Sequence, residues 1–266
     1  MTMALRGRKR RVRKPDDEAT LTEHLGELRL RIIRSILAVA VGMILVLLQY
    51  EPLLRFLTKP YRNICKERPD FACDGTLYGL GPLDGLAARM RISVYGGLIL
   101  ALPVIMWQVW RFVAPALHRK ERKYAVGFVV SSVALFALGG YIAYWTLDKA
   151  LEFLISWSGT NVEQAYQITK YVNLVFLMIL AFGIGFLFPV LLVFLQLVEV
   201  ITPRQLVAQW RWAVMLIFLV AAVITPSGDP VSLFALAVPM CVLYSLSVGL
   251  GYVVAWRRRR RTRTVS

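Results

Sequence analysis

Two glutamates stand out for the company they keep. Glu27 lies in LTEHLGELRLRIIRS (residues 21–35), where leucines and arginines surround it and a fully apolar run follows. Glu121 is the one carboxylate of FVAPALHRKERKY (112–124), set among Arg119, Lys120, Arg122 and Lys123. A carboxylate presents two acceptor oxygens that match the fork of a guanidinium group, and each such pair makes charge-assisted hydrogen bonds. Together the two sites can therefore receive guanidinium groups from a ligand. A plainer account competes. Glu27 is four residues before Arg31, an i,i+4 pair worth only ~0.3–0.5 kcal/mol, and Glu121 fits a solvated salt-bridge cluster. The residues alone leave both accounts open.

Catalytic and metal chemistry have little to work with. The histidines are His24 and His118, both at predicted membrane edges, and there is no HExxH, GxSxG or P-loop motif. No catalytic residue, metal ligand or cofactor site is assigned, and the chain reads as non-enzymatic. Proton-coupled transporters place carboxylates, histidines or lysines inside their spans. The apolar runs here hold none. No internal repeat is evident, although an inverted-repeat transporter is expected to have one.

The elements that carry these glutamates follow from hydropathy. The chain has 266 residues, is 58% hydrophobic and contains six runs without Asp, Glu, Lys, Arg or His: 35–50, 92–110, 124–147, 171–198, 212–228 and 231–256. About 20 apolar residues cross a hydrocarbon core of ~30 Å as a helix. The expected fold is all-α, a polytopic membrane protein with six transmembrane helices, and β-barrel alternation is absent. The fifth span is short: AVMLIFLVAAVI, between Trp212 and TPSGDP, reaches only ~18 Å. Residues 1–19 form a basic, disordered tail, 20–256 the membrane domain and 257–266 a second basic tail. The first run is not a cleavable signal peptide, because a polar, acidic stretch follows the basic one and no A-x-A-like site ends the apolar segment. A helical wheel over 21–34 puts Leu21, Leu25, Leu28 and Ile32 on one stripe and Glu23, Glu27, Arg31 and Arg34 on the other. This predicts an amphipathic helix, started by a Thr20–Glu23 capping box, that lies along the interface before it turns into the first span.

The net charge of +16 is concentrated in runs beside spans, which fix topology and touch anionic lipid rather than nucleic acid. With both termini in the cytoplasm, Lys and Arg divide 23 inside to 9 outside, as the positive-inside rule favours. The outside loop 51–91 then contains LLRFLTKPY, read as a short helix ended by Pro60, and GLGPLDGLAARMRI, read as a turn leading into the second span. Cys65 and Cys73 also lie there. An oxidising compartment allows a disulfide between them, and two free thiols are the alternative. Cys241 is assigned to packing. Pro103, Gly139-Gly140, Gly183, Gly185, Pro189 and Pro239 read as close-packing and kink positions of transmembrane helices.

Taken in order, these segments closely resemble the TatC family, the six-span core of the twin-arginine protein translocase. HLGELRLRI (24–32) matches the family's HLxELR signature, and QVWRFVAPALHRKERK (108–123) resembles its first cytoplasmic loop. TKPY with Pro60, ALPVI with Pro103, AFGIGFLFPV (181–190) and ITPSGDP (224–230) fall in the family's order, so the likeness covers roughly 20–256. The resemblance implies a receptor for twin-arginine signal peptides of folded precursors. It would assemble with TatA-like and TatB-like single-span proteins, as a homo-oligomer within a larger complex in the inner membrane of a prokaryote, and be driven by the protonmotive force. It maps signal-peptide binding onto Glu27 and Glu121, with Arg29, Phe112, Pro115, Leu117 and Arg122 nearby. Pro60, Pro103 and Asp229 are carried over as loop and helix positions, Asp229 across an extra residue in the alignment. One departure is clear. Many family members hold a glutamate or glutamine two residues before the proline of AFGIGFLFP, and Leu187 stands there in this chain. The alternative function is a small-molecule secondary transporter.

Overall fold

In hydrocarbon every backbone polar group must be paired within its own segment, which long apolar stretches achieve as helices. The computed structural model describes residues 21–67, 75–113, 125–158 and 165–263. Eight helices lie there: α1 (Leu21–Leu48), α2 (Tyr50–Glu67), α3 (Asp84–Val113), α4 (Ala125–Ser158), α5 (Ile168–Leu197), α6 (Pro203–Ala208), α7 (Trp210–Ile224) and α8 (Pro230–Arg263). Five of them, α1, α3, α4, α5 and α8, are long and apolar enough to cross a membrane. The expected fifth span is α7, an apolar helix of 15 residues, which reaches about 22 Å.

Three expectations change. The segment 21–34 does not turn into the first span. It is continuous with it as α1, 28 residues without a break, because no Gly or Pro between Gly26 and Gly42 interrupts the hydrogen-bond ladder. Thr20 lies outside the described residues, and with it the capping box. Secondly, Pro60 does not end a helix; α2 runs through it to Glu67. Thirdly, the helix of the last span extends to Arg263, into the stretch read as a basic tail.

α5 is the centre of the bundle, with α3, α4 and α8 packed around it, while α1 lies mainly on α3 and α7 on α8. Its buried residues include Val172, Val175, Met178, Phe182 and Phe186. Gly42 and Gly97 bring α1 and α3 into backbone contact: a Cβ on Gly97 would lie 2.6 Å from the Met43 nitrogen, and one on Gly42 would lie 2.7 Å from the Gly97 oxygen. Such close approach is how membrane helices associate without a hydrophobic driving force between them. The outward face of α1, with Ile36, Leu37, Val41 and Ile44, is exposed, as befits a surface solvated by lipid tails.

Candidate functional site

At one end of the bundle α1 begins, α3 ends and α4 begins. Glu27 stands on the second turn of α1, with its side chain 54% exposed, and Oε2 accepts a hydrogen bond from Arg31 Nη2 at 3.0 Å. Arg31 is only 14% exposed. Its Nη1 donates across to α3, to the carbonyl oxygen of Gln108 at 3.4 Å. The pair is therefore not the isolated surface ion pair that its spacing suggests. The cation is packed against a neighbouring helix and the carboxylate reaches out from it. Arg29 is exposed on α1, and Phe112 is half-buried in the last turn of α3. Glu121, Pro115, Leu117 and Arg122 lie outside the described residues.

The two ends of the segment that carries Glu121 are nevertheless held together. Trp110 near the end of α3 and Phe128 near the start of α4 have ring centroids 4.7 Å apart. Phe194 of α5 meets both, each at 5.8 Å. Aromatic contacts of this kind add ~0.5–1.5 kcal/mol beyond area burial. This cluster ties the close of α3 to the start of α4 and the close of α5. The sequence offers three aromatic residues among many in apolar runs and no sign that they meet.

At the far end, α2 packs its buried stripe of Leu57, Thr58, Pro60, Tyr61 and Ile64 on the bundle. A proline lacks the N–H that would bond the carbonyl four residues earlier, here that of Phe56. Tyr144 of α4 supplies the missing donor: its hydroxyl donates to the Phe56 oxygen at 2.8 Å, and the two rings stack at 4.4 Å. Tyr171 of α5 donates to the next carbonyl, Leu57, at 2.8 Å. The connecting segment is tied to the start of α5, with Tyr78 N–H donating to Tyr166 O and Ile168 N–H to Tyr78 O. Burial pushes the Tyr166 phenol above its ordinary range. As expected, a turn leads into α3: Asp84 Oδ2 accepts from the Leu80 and Gly81 amides and from Gln167 Nε2.

Cys65 is disulfide-bonded and Cys241 is free; Cys73 lies outside the described residues. Asp229, 1% exposed, caps α8. Its Oδ1 accepts from the Ser232 amide at 2.7 Å, its Oδ2 accepts from the Ser227 hydroxyl, and Pro230 takes the first helical position, an arrangement that suits a helix start. Pro103 is exposed within α3.

Between α5, α7 and α8 lies an apolar groove of about 310 Å³, lined by Leu187 together with Ile184, Leu191, Leu216, Val220 and Met240 among others. Leu187, where relatives of the resembled family carry a polar group, therefore faces the short helix α7. Gln196 is engaged elsewhere: its amide donates to the carbonyls of Leu192 and, across to α8, Ser247.

Comparison with known proteins agrees with the sequence motifs. The family described as Sec-independent protein translocase protein (TatC) matches residues 23–239. A TatC protein of Xylanimonas cellulosilytica is 36% identical over 244 residues, covering 91% of this chain and 86% of the relative. The Aquifex aeolicus protein of the same description is 34% identical over 242 residues, covering 90% and 97%. A crystal structure described as the twin arginine translocase receptor TatC superposes with a TM-score of 0.70 at 33% identity, covering 88% of this chain and all of that one. A second, in the detergent DDM, gives 0.71 at 34% identity, covering 86% of this chain and 99% of that one. With the family matched over most of its length and the same helical bundle in solved relatives, this chain belongs to the TatC family of protein translocase components.

Proposed function

We propose that this protein is the signal-peptide receptor and scaffold of a twin-arginine translocase. It binds twin-arginine signal peptides at the cytoplasmic face and exports folded precursors across the inner membrane, driven by the protonmotive force. The observation that carries this reading is at Glu27. A half-exposed carboxylate at the end of a membrane helix already accepts a guanidinium N–H at 3.0 Å, which is the bond a twin-arginine peptide would need. Glu121 supplies the second carboxylate, and Arg29, Phe112, Pro115, Leu117 and Arg122 form its surroundings. Both termini and the α3–α4 connection face the cytoplasm, in keeping with the 23-to-9 division of Lys and Arg.

TatA-like and TatB-like single-span proteins are the partners, within a complex that holds more than one copy of this chain. α7 and its groove favour such partners, because a helix of about 22 Å leaves a mismatch with a ~30 Å core that protein contact relieves. On the outside, Cys65 pairs with Cys73, the third cysteine of the chain once Cys241 is set aside as free. A small-molecule transporter is the weaker reading, since no polar side chain lines the groove between α5, α7 and α8.

The test is precursor cross-linking to membranes that hold equal amounts of each variant. Glu27→Ala and Glu121→Ala are each expected to lower binding by about tenfold or more, because loss of one partner of a desolvated pair costs ~2–5 kcal/mol. Loss of an exposed pair costs under ~1 kcal/mol. Glutamine at either site keeps the shape and loses the charge, so it should fare nearly as badly. Undiminished binding by both alanine variants would return the two glutamates to ordinary salt bridges.

A further inference from the structure

We propose that Arg31 is a built-in competitor for Glu27: its guanidinium holds the carboxylate in the resting protein and is exchanged for a guanidinium of the incoming peptide, which makes Arg31 a specificity-determining residue. The inference rests on the reading of Glu27 as a receptor for that peptide, and adds what the peptide must displace.

The geometry is asymmetric in the way an exchange needs. Arg31 is 14% exposed and Glu27 is 54% exposed. A ligand arriving from solvent meets the carboxylate first, with Arg31 behind it against α3. When the ion pair opens, Arg31 is not left without an acceptor. Its Nη1 already donates to the Gln108 carbonyl oxygen. Gln108 is nine-tenths buried, and its side-chain Oε1 has no hydrogen-bond partner among the described residues. The residue that anchors Arg31 thus carries a second, unused acceptor. A buried cation released into unpaired surroundings would make the exchange prohibitive. Here the released group stays hydrogen-bonded to α3.

This arrangement separates arginine from lysine. A bare carboxylate gains from any cation that neutralises it, so charge alone would admit both. A carboxylate already neutralised by a guanidinium gains only from a group that bonds at least as well. An arginine of the peptide brings the same planar fork and recovers what Arg31 gives up. A lysine brings a compact charge without the fork and does not. Arg31 thereby turns a charge attraction into a comparison of bonding geometry, and specificity is a difference of this kind.

The experiment measures cross-linking of a twin-arginine precursor and of its twin-lysine version to membranes holding the complete translocase with Arg31→Gln, Arg31→Lys or Glu27→Ala. Arg31→Gln is expected to raise twin-lysine binding and to lower the arginine-over-lysine ratio by about fivefold or more. Arg31→Lys keeps the charge and loses the fork, and its ratio should fall between that of Arg31→Gln and wild type. A wild-type ratio in accumulated Arg31→Gln protein overturns the proposal, and so does an equal loss of both precursors, which would mark Arg31 as merely structural. If Arg31→Gln fails to accumulate, Arg31→Lys decides: a ratio lowered by about twofold or more supports the exchange and an unchanged one overturns it. Glu27→Ala keeps the two readings apart. Wild-type binding by Glu27→Ala sinks the receptor reading itself. Loss of binding there, with an unchanged ratio at Arg31, sinks the exchange alone.

Discussion

Pro60 has no backbone N–H, so the Phe56 carbonyl one turn earlier loses its helical partner. The structure replaces that partner with the Tyr144 hydroxyl from α4, and α2 continues instead of stopping. The same side chain that repairs the helix also ties it to the bundle. An ordinary hydrogen bond contributes ~0.5–1.5 kcal/mol net, so Tyr144→Phe should lower the stability of the detergent-purified protein by about that much. In a Pro60→Ala background the alanine N–H can serve Phe56, and the same Tyr144→Phe change should cost much less, a coupling that a double-mutant cycle reads directly. Additive losses in thermal or SDS unfolding would show that the hydroxyl acts independently of the proline. Glu27 teaches a related lesson. Its spacing to Arg31 is the commonest ion-pair spacing on a helix, and only the Gln108 carbonyl across on α3 makes the pair more than that.

Among the elements, α1 depends on α3 for its place. α1 is largely exposed and packs almost entirely on α3, with the crossing at Gly42 and Gly97 as the point of closest approach. A methyl group at either glycine would strike backbone atoms, which cannot swing aside as a flexible side chain can. Gly97→Ala should therefore push α1 from α3, lower the melting temperature in detergent and weaken the contact between Arg31 and Gln108 one helix end away. Gly127→Ala, which meets nothing within 4 Å, is the matched control, with an expected gain of a few tenths to ~1 kcal/mol from helix propensity. Equal melting temperatures for Gly97→Ala and wild type would mean that the helices part without cost. α7 shows the opposite dependence. Its 15 residues are too few for a full crossing on their own, so its fit to the membrane is settled by what lies beside it.

For the whole molecule, orientation is the property from which the rest of the proposed function follows. The start of α1, the close of α3 and the close of α5 meet on one side, through Arg31 with Gln108 and Trp110 with Phe194, and Gln196 of α5 reaches Ser247 of α8 there. In the proposed orientation that side is the cytoplasmic one, in keeping with the division of Lys and Arg. A reporter active only outside the membrane should be silent when fused after residue 256 and active when inserted between residues 75 and 83. Activity at the first position would reverse the orientation and remove Glu27 from the compartment in which precursors are made.

Much of this is already present in the order of residues. The apolar runs specify membrane helices, since hydrocarbon leaves the backbone no other way to pair its polar groups. The HLGELR stretch and the later proline-bearing motifs indicate the family, and the basic runs indicate orientation. Individual helix ends are another matter. The kinship of 21–34 with the span that follows, the passage of α2 through Pro60 and the length of α8 each depend on whether a ladder of hydrogen bonds is broken or repaired, and at Pro60 the repair comes from a tyrosine 84 positions away. The site divides in the same way. Glu27 is singled out as a candidate by its type and neighbours, a carboxylate in a basic stretch beside a membrane span. The anchoring of Arg31 on α3 and the meeting of Trp110, Phe128 and Phe194 cannot be singled out so, because each joins residues far apart in the chain and exists only once the helices have packed.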